Sequence, residues 1–189
     1  YPWTEFIIRG NFIERTGRNS IILRNAVDPL IEYNVAAASS RFDTGHSIVN
    51  FNTTNCVVQY NEAYGNTGDA DENERGGFDA DYKSTGTIIQ YNYSHDNEGG
   101  FILICTPGNA YNEDTVIRYN ISQNDGERTS HISGPVKDTA IYNNVIYVKK
   151  GLEVQGVLAG DWGGGWPDDT RFANNIFHVD GGMTFDFGG

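Results

Sequence analysis

The chain has 189 residues, enough for one domain with a substantial core, and we expect residues 1–189 to form a single domain. Its 13 Lys and Arg residues stand against 25 Asp and Glu, for a net charge of −12. This balance argues against nucleic acid and an anionic membrane surface as partners. Its apolar runs are too short to cross a bilayer, and two cysteines make no disulfide framework.

A short apolar strand followed by asparagine recurs along the whole chain. The recurrences are FIIRGN, LIEYN, VVQYN, IIQYN, VIRYN, IYNN and FANN, which end at Asn11, Asn34, Asn61, Asn92, Asn120, Asn144 and Asn175. The steps between these asparagines are 23, 27, 31, 28, 24 and 31 residues. Such variable spacing around a fixed motif is typical of a solenoid, in which strands stack in register while the turns change length.

Two or three short strands in each repeat favour a parallel β-helix. No segment has helical spacing of apolar residues, and 23 Gly residues with abundant Asn indicate frequent tight turns. A leucine-rich horseshoe would show its own signature, and a propeller needs blades of about 40 residues. We therefore predict an all-β, right-handed parallel β-helix of about seven coils, and both ends suggest a fragment of a longer helix. An Asn at one corner of every coil should stack into an amide ladder and take the left-handed conformation of the bend.

The run from Arg75 to Gly100 holds one complete repeat and the densest group of reactive side chains. Asp79 and Asp81 alternate with apolar neighbours, which places both carboxylates on one face of a strand. Residues two apart on a strand have Cα atoms about 6.6 Å apart, and neighbours on adjacent coils are about 4.8 Å apart. These two distances bracket the carboxyl separations of inverting and retaining glycosidases. Two negative charges this close repel each other, which raises the pKa of one carboxyl group and leaves the other ionised. Such a pair is suited to act as an acid and a base. We predict that Asp79 and Asp81 are catalytic.

Further candidates lie around this pair. His95, Asp96 and Glu98 follow one strand later and would support or replace one of the two carboxylates. The candidates for substrate binding are two nearby cations, one histidine at a turn and two tryptophans on a long turn, where an exposed indole could stack on a sugar ring. They are Arg75, Lys83, His131, Trp162 and Trp166.

Asp69 and Asp71 open an acidic run that begins like a calcium loop, with oxygen ligands at alternate positions. Glu74 stands where an EF-hand needs glycine, so an EF-hand is excluded. Two hypotheses stay open at this point: a Ca²⁺ site that includes Asp69 and Asp71, or a solvated acidic turn with no cofactor.

The IIQYN and YSHDNEGGF runs resemble the right-handed parallel β-helix superfamily of pectate lyases, polygalacturonases and alginate epimerases. The resemblance covers nearly the whole chain and implies a pectin lyase fold built from β-helix repeats and an activity on polysaccharides. Alginate epimerases carry a DPHE motif where this chain has Asp79-Ala-Asp81-Tyr82, so Asp79 matches the first Asp and Asp81 replaces the His.

We expect a secreted or cell-surface glycoside hydrolase whose partner is a polysaccharide or oligosaccharide, because carboxylates outnumber candidate bases in the central repeat. One alternative is a calcium-dependent uronate lyase or epimerase, with the ion acidifying the α-proton. The other is a non-catalytic β-helix that binds carbohydrate or forms part of a larger surface protein. The sequence leaves the oligomeric state open.

Overall fold

The protein is a stack of short parallel strands. In this computed structural model, which describes residues 1–68 and 74–188, every pairing between described strands is parallel, and the described residues contain no helix. The strands form three stacks that run along the same axis, and successive coils contribute to each of them. No helix in the described ranges is long and apolar enough to cross a membrane.

Numbered in chain order, the strands of the first stack are β4 (Ile21–Val27), β7 (Ile48–Thr54), β10 (Gly76–Ala80), β14 (Gly100–Cys105), β18 (Arg128–Ser133), β21 (Glu153–Gly160) and β24 (Gly182–Asp186). Those of the second stack are β2 (Ile7–Arg9), β5 (Leu30–Glu32), β8 (Val57–Gln59), β12 (Ile88–Gln90), β16 (Val116–Arg118), β19 (Lys137–Tyr142) and β22 (Asp168–Ala173). Those of the third stack are β3 (Phe12–Glu14), β6 (Val35–Ala37), β9 (Glu62–Tyr64), β13 (Tyr93–His95), β17 (Ile121–Gln123), β20 (Val145–Val148) and β23 (Ile176–Val179). The short strands β1 (Trp3–Thr4), β11 (Ser84–Thr85) and β15 (Asn112–Glu113) lie at the corner between the first stack and the second, in register with the ends of β4 and β7.

Among the described residues the third stack is a seven-stranded sheet, so this part of the chain holds seven coils joined by six turns. The prediction of an all-β parallel β-helix is therefore confirmed, and its right-handed sense stays a prediction.

The core is a column of apolar side chains at equivalent positions of successive coils. In the second stack, Ile31, Val58, Ile89 and Ile117 are each at most 1% exposed and pair with one another in register. Each is the middle residue of a three-residue strand whose flanking side chains are more exposed in most coils, as the period of two in a strand requires. The first stack adds Phe78, Ile102 and other buried residues to the same cluster.

The recurrent asparagines form the predicted ladder. The Nδ2 atom of each one donates to the Oδ1 atom of the Asn on the next coil, at 2.9 Å from Asn11 to Asn34 and at 3.0 Å for each of the five following pairs. The same Oδ1 atom also accepts the backbone N–H of its neighbour, as from Asn61 to Asn92 at 2.9 Å. These internal asparagines are at most 2% exposed, so the ladder satisfies polar groups that water does not reach.

The bend at this corner is made by the residue before each asparagine, and the expectation that Asn itself takes the left-handed conformation is wrong. Tyr33, Tyr60, Tyr91 and Tyr119 have φ between 54° and 55°. Left-handed tyrosine is sterically unfavourable. Their rings stack on one another with centroids 5.1 to 5.2 Å apart, which offsets part of that cost.

We predict that Asn92→Ala lowers the free energy of unfolding by at least about 2 kcal/mol. The change leaves the buried backbone N–H of Asn61 without its acceptor, and it removes the bonds that Nδ2 of Asn92 donates to the carbonyl of Val58 and to Asn120. Urea unfolding monitored by circular dichroism measures the change. Asn11→Ala is the matched control: Asn11 is exposed in the first coil, and its loss should cost less than about 1 kcal/mol. Equal losses in the two variants would contradict a ladder that stabilises through buried amides.

Candidate active site

A cavity of about 560 Å³ opens on the outer face of the first stack. Its floor follows one register column across five coils, formed by Ile22, Val49, Asp79, Leu103 and His131. Side chains alternate between the two faces of a strand. Phe78 and Ala80, the residues before and after Asp79 on β10, therefore point into the core and are fully buried.

Asp79 and Asp81 both line this cavity. One carboxylate oxygen of each and the sulfur of Cys105 all lie within 4.8 Å of one another. Asp79 is 8% exposed and Asp81 is half-buried. The alternation read from the sequence thus brings the two carboxyl groups together.

Burial raises the pKa of Asp79 well above its usual range, and the nearby charges of Asp81 and Glu74 raise it further. The charge of Arg18 acts in the opposite direction. The Oδ1 atom of Asp79 is buried and has no hydrogen-bond partner among the described residues. A carboxyl group in such surroundings is stabilised in its protonated form.

Asp81 has polar partners that Asp79 lacks. Burial raises its pKa, while the backbone N–H of Tyr82, at 2.8 Å, and the thiol of Cys105, at 3.3 Å, donate to its Oδ1 atom and lower that pKa. The charge of Arg24 also lowers it. Asp81 is therefore the group of the pair that ionises more readily.

Cys105 was missed by reasoning from the sequence. Its pKa is raised well above the usual range, first by burial and then by the charges of Asp79 and Asp81. The side chain is a neutral thiol at neutral pH, which makes it a hydrogen-bond donor to Asp81 and not a nucleophile.

Two histidines stand beside the pair, and both are neutral. Burial, together with the charges of His131 and Arg128, lowers the pKa of His46 to about 3. Its Nδ1 atom lies 3.9 Å from Oδ2 of Asp79, and this contact is no ion pair because the imidazole is uncharged. Burial and Arg128 lower the pKa of His131 to about 4. The Nη1 atom of Arg128 lies 3.3 Å from Nδ1 of His131, so that nitrogen accepts and the ring proton sits on Nε2.

Aromatic rings line one rim of the cavity. Tyr82 packs edge-on against Phe51 at 4.7 Å and against Trp162 at 6.3 Å between centroids. Trp162 is 46% exposed, so part of its indole is open to a ligand. The guanidinium of Arg24 lies 5.2 Å from the centroid of Phe51, and the amine of Lys83 lies 5.9 Å from the centroids of Phe51 and Tyr82.

The predicted residues His95, Asp96 and Glu98 are not in this cavity. His95 lies on β13 in the third stack, where its ring stacks on Tyr64 at 4.8 Å and bonds Asp96 and Glu62. Asp96 and Glu98 line a separate depression.

Of the predicted binding residues, Arg75 is buried and pairs with Glu98 at 2.9 Å and with Glu127 at 2.5 Å, outside the cavity. His131 and Trp162 line the cavity. Lys83 is not among the lining residues, but its amine lies 5.9 Å from the ring centroid of Tyr82, which lines the cavity. Trp166 is not among the residues that line it. The predicted calcium ligands Asp69 and Asp71 lie outside the described residues.

Within the described ranges, the cluster of Asp79, Asp81 and Cys105 does not fit calcium. Ca²⁺ takes six to eight oxygen ligands. This cluster offers two carboxyl groups and one thiol.

No protein-family model matches the chain. A lacto-N-biosidase from Bifidobacterium longum subsp. longum is 32% identical over an alignment that covers 94% of this chain and 11% of the relative. Crystal structures of a GH136 lacto-N-biosidase from Eubacterium ramulus match as well. The selenomethionine derivative has a TM-score of 0.68 at 24% identity, and the native protein 0.63 at 25%, each over 92% of this chain and 28% of that chain. The chain thus spans about a tenth of the curated relative and over a quarter of the solved one.

We predict that His46→Gln weakens the dependence of stability on acid. The folded state holds the pKa of His46 at about 3, below its ordinary 6.5. The neutral form therefore contributes stability that is fully present above pH 6.5 and is lost as the pH falls towards 3. The loss is about 1.4 kcal/mol for each pH unit in this window.

Urea unfolding of both proteins at pH 6.5 and pH 4.5 measures the difference. Glutamine has no proton to gain, so the variant should lose less stability than the wild type between these two values. Parallel losses would show that His46 is not held neutral by the fold.

Proposed function

We propose that this chain carries the cleavage site of a glycoside hydrolase that acts on oligosaccharides, with Asp79 as general acid and Asp81 as nucleophile. The observation that carries the proposal is the pair itself. Two carboxyl groups with oxygens within 4.8 Å line one cavity, and burial raises the pKa of both. The buried Oδ1 atom of Asp79 has no hydrogen-bond partner among the described residues, whereas Oδ1 of Asp81 accepts two hydrogen bonds, which favours Asp79 as the protonated member of the pair. Pairs whose pKa values are pushed apart in this way divide into an acid and a base or nucleophile.

The close approach favours a retaining mechanism. Retaining enzymes hold their carboxyl groups about 5 to 5.5 Å apart, whereas inverting enzymes leave about 6.5 to 9.5 Å for a water molecule. In the first step Asp79 donates its proton to the glycosidic oxygen, and an oxygen of Asp81 forms a bond to the anomeric carbon as the bond to the leaving sugar breaks. In the second step the Asp79 carboxylate takes a proton from water, whose oxygen bonds the anomeric carbon and releases Asp81.

Other residues position the substrate in this scheme. The exposed part of Trp162 and the adjacent ring of Tyr82 offer an aromatic surface for a sugar ring. The Nε2–H group of His131 can donate to a sugar hydroxyl, since its other ring nitrogen accepts from Arg128. Cys105 and the N–H of Tyr82 hold Asp81 in place.

The relatives support this reaction class. Both are named lacto-N-biosidases, and the solved structures share the β-helix. Because this chain spans only part of each relative, activity on an oligosaccharide by the whole protein belongs to the proposal. Location outside the cell stays a prediction.

A uronate lyase or epimerase has less support. Within the described residues the cavity has no oxygen-rich calcium cluster, and His131 is a weak base since its pKa is held at about 4. The non-catalytic alternative predicts binding of an oligosaccharide without turnover.

We predict that Asp79→Asn and Asp81→Asn each lower kcat by about 10² to 10⁴-fold, the usual contribution of a positioned proton-transfer group, and by more if the nucleophile is lost outright. The assay follows release of reducing sugar from a panel of neutral and acidic oligosaccharides, beginning with those that contain lacto-N-biose. Circular dichroism checks that each variant keeps its fold.

Asp96→Asn is the discriminating variant, because its carboxylate lies in the separate depression. It should retain activity within about 3-fold, as a surface substitution away from the chemistry would. Full activity in Asp79→Asn and Asp81→Asn, or a loss of activity in Asp96→Asn equal to theirs, would contradict the assignment of catalysis to the two aspartates of the cavity. Binding with no turnover by the wild type would favour the non-catalytic alternative.

A further inference from the structure

Three donor groups converge on the cavity floor. Asp79 and Asp81 can each offer a carboxylate oxygen and Cys105 its sulfur, and these three atoms lie within 4.8 Å of one another. Tetrahedral zinc sites with oxygen and sulfur ligands at about 2.0 to 2.3 Å place their ligand atoms about 3.3 to 3.8 Å apart. Shifts of about 1 Å in the side chains therefore suffice to form three ligands of such a site.

The cluster also contains an unsatisfied buried atom. Asp79 is more than nine-tenths buried, and its Oδ1 atom has no hydrogen-bond partner among the described residues. The thiol of Cys105 has one hydrogen bond in the described part of the chain, to Asp81, so a metal ion replaces that proton without leaving another group unpaired. A buried polar atom without a partner costs stability that a bound cation would recover.

The donor set selects the kind of metal. Calcium and magnesium prefer six or more oxygen ligands, whereas a thiolate favours zinc and its heavier relative cadmium. The cavity supplies an entry path and room for a water as the fourth ligand. Two carboxylates and a thiolate around a divalent ion leave one net negative charge. Arg18 and Arg24, which line the same cavity, stabilise that charge.

We propose that Asp79, Asp81 and Cys105 form a binding site for a thiophilic divalent cation of the zinc class, and that its occupation switches the site off. On binding, the thiol of Cys105 and the carboxyl group of Asp79 each release a proton to solvent, and three bonds to the metal form with no change of oxidation state. The binding part stands on the cluster alone. The inhibitory part rests on the proposed function, because the ion occupies both carboxylates that the reaction needs.

Cadmium is the probe for binding, since a cadmium–thiolate bond absorbs in the near ultraviolet. Titration of the chain with Cd²⁺ should produce this absorption at one equivalent, and Cys105→Ser should abolish it. Cys56→Ser is the matched control: this second thiol is fully buried in the core and is not among the residues that line the cavity. The control should retain the absorption, and millimolar calcium should not displace cadmium.

A second variant guards against misfolding of Cys105→Ser. Asp79→Asn keeps the thiol but loses a ligand, so its affinity for cadmium should fall by at least about 10-fold. No absorption in the wild type, absorption that survives in Cys105→Ser, or absorption lost only in Cys56→Ser would each overturn the metal site.

Inhibition is measured as the loss of oligosaccharide hydrolysis on addition of Zn²⁺, with recovery in excess chelator. Binding without inhibition would overturn the regulatory part. An intact cadmium signal in a wild-type chain that hydrolyses nothing would remove the proposed function and leave the metal site standing. Hydrolysis without a cadmium signal would remove the metal site alone.

Discussion

The amide bonds between stacked asparagines hold each coil against the next. Asn92 and Asn120 are 28 residues apart in sequence, and Nδ2 of Asn92 donates to Oδ1 of Asn120 at 3.0 Å. In the first stack, the paired residues Ala80 and Ile104 of the corresponding coils are only 24 residues apart. The corner strands again differ by 28, from Ser84 to Asn112, so the four extra residues lie in the turn between Cys105 and Asn112. The ladder and the core therefore stay aligned while one turn grows, and this allows a solenoid of irregular repeats to keep the register of its outer face.

That register sets the surroundings of the two carboxyl groups. The pairing of Ala80 with Ile104 places the thiol of Cys105 against Asp81. In the neighbouring column Asp79 lies between Val49 and Leu103, and none of the described residues donates a hydrogen bond to its Oδ1 atom. Two carboxyl groups on one strand thereby meet different surroundings, and their pKa values separate. The unpartnered Oδ1 of Asp79 and Nδ1 of His46 are each destabilising, by about 1 to 3 kcal/mol. The stacked core and the ladder offset this cost.

The repeat and the strand alternation were readable from the sequence, so the fold and the shared face of Asp79 and Asp81 were predictable. Cys105 was not, because the two Gly-Gly-Phe runs that end at Phe78 and Phe101 suggest a register of 23 residues, which would place Ile104 beside Asp81. The observed register is 24, with Gly76 beside Gly100, and a slip of one residue exchanges the two faces of a strand. The position of His95 was also not readable from the sequence, because the chain turns a corner between Asp81 and His95 and places His95 in another stack, where its ring packs between Tyr64 and Tyr93.

The separation of the two carboxyl pKa values is the claim on which the proposed chemistry depends, and it can be measured without a substrate. Carboxyl carbon NMR on the chain labelled at aspartate follows each group through a pH titration, and Asp79→Asn and Asp81→Asn assign the two signals. We predict that Asp79 titrates well above the ordinary range of an aspartate. We expect the pKa of Asp81 to be raised as well, but to lie below that of Asp79. Two signals that both titrate near pH 4, the ordinary value for an exposed aspartate, would contradict it.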